Sequence, residues 1–330
     1  MTAPGATILG CAGPRLDPEE RAVFRDADPW GFILFARNVE NPAQVGALTA
    51  ELREVVGRAA PILIDQEGGR VQRLGPPHWR GWLPPLDLAA AADPVRAFRL
   101  RYRLIAAELV ALGIDVDCAP LADIAGTATH PFLRNRCYGT DAASVTAHAR
   151  AAAEGLAAGG VLPVLKHIPG HGRAVADSHA DLPIVDADAD TLRATDFAPF
   201  RALADLPMAM TAHVVYRGLG SDAPATTDPA MIALIRDELG FGGLLMSDDV
   251  AMGALKGDMG ARSTASIAAG CDVVLHCNGD RAEMAQVVAA AGTLDAAAER
   301  RAEAALAARR APDEVDIAAV EAELSGLSGG

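Results

Sequence analysis

Eight short apolar runs recur along the chain: Ala6 to Cys11, Gly31 to Phe35, Pro61 to Asp65, Ile114 to Pro120, Leu162 to His167, Met208 to Val214, Gly243 to Ser247 and Asp272 to His276. Most are near-continuous rather than alternating, the pattern of parallel strands covered on both faces. Helical stretches separate them. From Asp93 to Gly113, Asp93 can cap, Pro94 suits the first helical position and Gly113 can terminate. Val95, Phe98, Tyr102, Ile105, Leu109 and Leu112 then recur at steps of three and four as one apolar face. The segment from Asp228-Pro229 to Gly240 repeats this logic around Met231, Leu234, Ile235 and Leu239, and Thr140 to Gly159 reads as a third long, Ala-rich helix. Strands alternating with helices predict an α/β fold, and eight strands predict a single closed (β/α)8 TIM-type barrel over residues 1–294. Residues 295–330 are Ala/Glu/Arg-rich and predict a helical tail packed on that barrel, with frayed last residues.

Composition narrows the function classes. The chain has 330 residues with 51% hydrophobic and 22% charged, ordinary globular usage. A net charge of −14 repels phosphate backbones and anionic lipid, so neither a nucleic-acid nor a membrane partner is expected. The longest central apolar run, Gly155 to Leu165, falls short of the roughly 18 residues of a span. Ile8-Leu9-Gly10-Cys11 faintly suggests a lipoprotein cleavage site, but no Lys or Arg precedes it, and it reads as a buried strand. Five cysteines without a CxxC pair argue against a disulfide framework or a zinc ribbon and point to a reducing cytoplasm.

In a barrel, chemistry gathers where strands end. The runs are followed or closed by Asp65 in IDQEGGRVQR, Asp123 in APLADI, Lys166 and His167 in VLKHIPGHG, His213 in MTAHVVY, Asp248 and Asp249 in LLMSDDV, and Asn278 in LHCNG. A single such residue reads as a cap or a satisfied core histidine; their joint placement reads as a site. The stretch from 166 to 183 is densest, with His167, His171, Asp177 and His179 on a segment broken by Pro169, Gly170 and Gly172. A metal-dependent hydrolase is one reading of those ligand types. No HxH or HExxH pattern appears, and Lys166 beside His167 disfavours a dication, so no metal and no cofactor are expected. The alternative pairs Asp177 with His179, a carboxylate orienting an imidazole that gives and takes a proton, with Asp248 as nucleophile. Asp249 is expected to point to the opposite face from Asp248. Arg73, Arg136 and Lys166 supply cationic donors for sugar hydroxyls or, more blandly, ion pairs with Asp65 or Asp123; Trp79 and Trp82 either stack on a sugar or pack their loop.

The strings IDQEGGRVQR, LKHIPGHG followed by ADSH, MTAHVVY and ELGFGGLLMSDDVAMGAL resemble the bacterial β-N-acetylglucosaminidases of glycoside hydrolase family 3, the single-domain NagZ type, over about residues 6 to 290. The resemblance implies a retaining glycosidase with Asp248 as nucleophile and His179, held by Asp177, as general acid/base. It carries substrate contacts onto Asp65, Arg73, Arg136, Lys166 and His167, and less directly onto His213 and Asn278. Ile168 stands where Phe is usual, and RCYG where Ser often follows the Arg. The implied substrate is a GlcNAc-containing muropeptide from peptidoglycan recycling, handled in the cytoplasm without an obligatory protein partner. A β-N-acetylglucosaminide phosphorylase is the nearer rival, because a histidine acid/base would not repel phosphate.

Overall fold

The computed structural model describes residues 3–176, 178 and 181–328. Eight parallel strands close into a barrel: β1 (Gly5–Gly10), β2 (Pro29–Leu34), β3 (Ile62–Ile64), β4 (Val116–Asp117), β5 (Leu162–Ile168), β6 (Met208–Thr211), β7 (Leu244–Asp249) and β8 (Val273–His276). Each pairs with its neighbours in sequence, and β1 pairs with β8. All eight apolar runs supply a barrel strand. Their continuity has a direct cause: Ile8, Ile33, Leu63, Val164 and Met246 belong to one buried cluster, while the adjacent Leu9, Phe32, Ile62, Leu165 and Leu245 belong to another. Both faces of each strand are therefore dry.

The helices follow their caps. Asp17, Asn41, Asp93 and Asp141 accept backbone N–H groups at the starts of α1 (Pro18–Ala27), α2 (Pro42–Val56), α3 (Pro94–Val110) and α4 (Ala142–Ala158). The first three place Pro where a missing N–H costs nothing. Much of the acidic composition is thus spent on helix starts. Two expectations need correction. Val95 lies in the first turn of α3, beyond the reach of the barrel, and is 46% exposed. The helix after Asp228 is α-helical only over Pro229–Ala233 and widens into a π turn over Leu234–Glu238, which leaves Leu234 half-buried.

The two register shifts that matter most lie at the ends of strands. Between Leu165↔Ala209 and Ile168↔Thr211, β5 carries one residue more than β6. Between Met246↔Val273 and Asp249↔Leu275, β7 carries one more than β8. A bulge breaks strict side-chain alternation and re-aims neighbours. The residues between the shifted pairs are Lys166 and His167 in β5 and Ser247 and Asp248 in β7.

At the opposite mouth two buried carboxylates tie strand starts to the C-terminal segment. Asp272 accepts Leu245 N (2.8 Å), Arg236 (2.8 Å) and Arg301 Nε (3.0 Å); Asp115 accepts Ile62 N (2.7 Å), Arg53 (3.1 Å) and Arg309 (2.9 Å). Arg301 lies on the helix Ala296–Ala307, whose Ala298, Ala302 and Ala305 are buried, and a last helix, Ile317–Ser328, buries Val320 and Leu324. The Asp272 side chain is 2% exposed, so Asp272→Ala leaves two arginines without their counter-charge and is expected to cost about 3–5 kcal/mol in urea unfolding. Arg15→Ala, which removes an exposed pair with Glu40, is expected to cost no more than about 1 kcal/mol.

Candidate active site

The C-terminal ends of the strands surround a cleft of about 120 Å³, open to solvent. Its polar lining includes Asp65, Arg73, Arg136, Lys166, His167, His171, Asp248 and Asp249. Asp65, Arg73, Arg136, Lys166, His167 and Asp248, all singled out in the sequence, thus line one cleft. Asp248 and Asp249 both line the cleft, contrary to the expected alternation, which the register shift just before Asp249 breaks.

The two carboxylates are nevertheless different. Asp248 Oδ1 accepts the N–H of Asp249 at 2.8 Å, and the described residues place no donor on its second oxygen. Burial opposes its ionisation, but His167, His213, that N–H and Lys166 outweigh it and hold the carboxyl below its usual range. Asp249 Oδ1 is occupied by the N–H groups of Ala251 (3.0 Å) and Cys277 (3.2 Å). Burial, together with the charge of Asp248, pushes Asp249 upward. The ionised group with an uncommitted oxygen is Asp248.

A buried ionic network forms one wall. Lys166 Nζ donates to Asp65 (2.8 Å) and pairs with Glu67 (2.7 Å); Arg73 donates to the other Asp65 oxygen (3.0 Å). Arg136 makes a two-pronged contact with Glu67 at 2.8 and 2.9 Å. Burial disfavours both carboxylates as anions, and the cations override it, so Asp65 and Glu67 lie below the usual range. The ion-pair reading of these cations is thus realised, yet three cations against two carboxylates leave a positive excess facing the cleft. Glu67 escaped the sequence reading. The signal was present, since Glu67 stands two residues after Asp65 in an extended segment and so shares its face.

Asp123 is buried and accepts His167 Nδ1 (2.8 Å) and the His171 N–H (2.6 Å). His171 Nε2 lies 3.3 Å from Ser178 Oγ, and the Ala254 N–H donates to the Ser178 carbonyl (3.2 Å). Asp177 and His179, the expected acid/base pair, lie outside the described residues. Among the described residues no three His, Cys, Asp or Glu groups are arranged to hold a metal.

Two expected contacts are not in the cleft. His213 is fully buried behind β7, bonded to Thr226 Oγ1 (2.7 Å) and to the Asp249 carbonyl (3.1 Å), so it braces β7 from behind. Asn278 is exposed and accepts Asp280 N (2.8 Å) in the turn at Gly279; alternation sends Cys277 inward instead. Trp79 and Trp82 pack their own loop, Trp82 beside Arg101 and Trp79 against His78. Phe35, Phe132 and His130 supply the cleft's ring surfaces, which no motif marked.

Two buried groups, Asp117 and His171, give opposing pH dependences. Burial pushes Asp117 up to about 7, whereas burial and His167 push His171 down to about 4. Unfolded, they titrate near ~3.9 and ~6.5. Between those limits the fold holds the Asp117 proton more tightly than the unfolded chain, so this contribution falls as pH rises. The unfolded chain holds the His171 proton more tightly, so that contribution rises with pH. Each is worth roughly 3–4 kcal/mol and they nearly cancel. Asp117→Asn is expected to expose the His171 dependence, with stability climbing from pH ~4 to ~6.5 more steeply than in the parent. Denaturation at three pH values reads the slope; an unchanged slope contradicts the assignment.

The sequence profile of the Glycosyl hydrolase family 3 N terminal domain matches residues 9–309. The beta-hexosaminidase of Bordetella avium is 35% identical over 288 residues, 84% of this chain and 82% of that protein. The beta-hexosaminidase of Stenotrophomonas maltophilia strain R551-3 is 39% identical over 282 residues, 82% and 83% of the two chains. Among solved structures, NagZ from Neisseria gonorrhoeae in complex with N-trifluoroacetyl-D-glucosamine superposes with a TM-score of 0.85 at 31% identity, covering 99% of this chain and 98% of that one.

Proposed function

The chain belongs to glycoside hydrolase family 3, and from that premise we propose that it is a retaining exo-β-N-acetylglucosaminidase acting on terminal β-linked GlcNAc. The observation that carries the reading is Asp248: ionised, with one oxygen uncommitted, on the floor of a cleft walled by cationic donors. Retention requires a nucleophile at the anomeric carbon and a proton donor at the leaving oxygen. Asp248 attacks the anomeric carbon while the acid protonates the departing oxygen. Water, deprotonated by the same group, then releases the sugar. His179 is the proposed acid/base and Asp177 its orienting carboxylate; what supports them is the ADSH motif following LKHIPGHG.

Asp65, Arg73, Arg136, Lys166 and His167 are proposed to hold the sugar, supported by their shared place in the cleft lining. His213 is proposed to act only through the Asp249 backbone, and Asn278 is not proposed as a contact. We assign the cellular substrate to the GlcNAc-anhydroMurNAc peptides of peptidoglycan recycling, in the cytoplasm. No helix among the described residues is long and apolar enough to cross a membrane. The test compares aryl β-GlcNAc with aryl β-glucoside, with and without phosphate, following product configuration by NMR. Preferred hydrolysis of the GlcNAc substrate to the β-anomer is expected. A glucoside preference, an α-anomer released first, or a sugar phosphate as product would each contradict the reading.

A further inference from the structure

We infer that Asp123 is a positioning residue for the glycosidase reaction, fixing a proton on His167 Nδ1 so that Nε2 is presented to the cleft. The inference rests on the glycosidase reading. Asp123 is 1% exposed and touches no cleft surface of its own. One oxygen is fixed by the backbone N–H of His171 at 2.6 Å. The other lies 2.8 Å from His167 Nδ1 and 3.3 Å from the His167 N–H. Burial opposes its charge, but His167, His171 and these N–H donors hold the carboxyl below its usual range. An ionised carboxylate only accepts hydrogen bonds, so Nδ1 must carry the proton. His167 lines the cleft, and the described residues offer Nε2 no partner. The ring is thereby set to accept from a sugar hydroxyl beside Asp248.

The geometry also says what an amide would do. In Asp123→Asn the carbonyl oxygen must still accept the His171 N–H, so the amide NH2 faces His167 Nδ1. That reverses the required tautomer at almost constant shape, the logic by which a carboxylate orients a catalytic imidazole. A carboxylate that merely capped the 167–171 turn would leave the ring proton untouched.

The experiment uses full-length protein with 15N-labelled histidine at pH ~8.5, above the ordinary imidazole range of about 6.5. His167→Gln identifies the signal. In the parent, Nδ1 is expected to be protonated; in Asp123→Asn the proton is expected on Nε2 alone, with kcat/KM for an aryl β-GlcNAc substrate down about 10–100-fold. In a His167→Ala background, Asp123→Asn is expected to cost less than about 3-fold further, because it acts through the missing ring. An unprotonated Nδ1 in the parent overturns the inference, as does a full additional loss in the double variant. Should Asp123→Asn fail to fold, the parent signal alone decides. Absence of glycosidase activity in the parent would remove the reading of the reaction while leaving the Nδ1 signal to be judged separately.

Discussion

Asp248→Asn is expected to lower kcat/KM for every β-GlcNAc substrate by about 10⁴-fold or more while leaving the thermal midpoint close to that of the parent. The size follows from chemistry. An amide has neither the charge nor the nucleophilicity to form the glycosyl ester, and nothing near it can substitute. The carboxyl of Asp249 has one oxygen taken by the N–H groups of Ala251 and Cys277, and burial with the charge of Asp248 pushes it upward. The mild structural effect follows too, since Asp248 accepts only the adjacent N–H among the described residues, a bond the Asn oxygen can keep. Steady-state rates with a chromogenic glycoside and a melting curve check both halves. Substantial residual turnover would place the nucleophile elsewhere.

His179→Ala is expected to slow an unactivated β-GlcNAc disaccharide by about 10²–10⁴-fold in kcat/KM and an aryl glycoside with a good leaving group far less. A phenolate of low pKa departs without a proton, whereas a sugar alkoxide does not. Asp177→Ala should act in the same direction more mildly, since the imidazole remains and loses only its orientation and part of its basicity. The comparison belongs to kcat/KM, because kcat can report release of the glycosyl ester, where the base is needed for every substrate. Equal losses for both leaving groups would reassign the acid, and His171, with Nε2 near Ser178, would be the next candidate.

Why the barrel was legible and parts of the site were not has a physical explanation. Parallel strands with two dry faces must be written as unbroken apolar runs, and a strand end facing a cleft stands out as the first polar residue after such a run. That rule found Asp65, Lys166, His167 and Asp248. It cannot say which way a side chain turns once a ladder bulges, and no residue type announces the extra residue in β5 or β7. Asp249 therefore joins the cleft lining, while His213, two residues past the end of β6, goes behind β7. Asn278 was read by nearness to a strand end when its own turn, closed by Gly279, takes it outward. Glu67 does not close an apolar run as Asp65 does, although period two places it on the same face. The helix after Asp228 misled in another way: apolar spacing fits α and π turns almost equally over so few residues.

The most direct measurement of the central claim is mass spectrometry of protein inactivated by a 5-fluoro β-GlcNAc donor, which slows release of the sugar more than its capture. One glycosyl group per chain is predicted, on the peptide containing LLMSDDV, with fragmentation placing it on Asp248. Attachment to Asp249, or turnover of the donor with no covalent species at any time, would contradict the account.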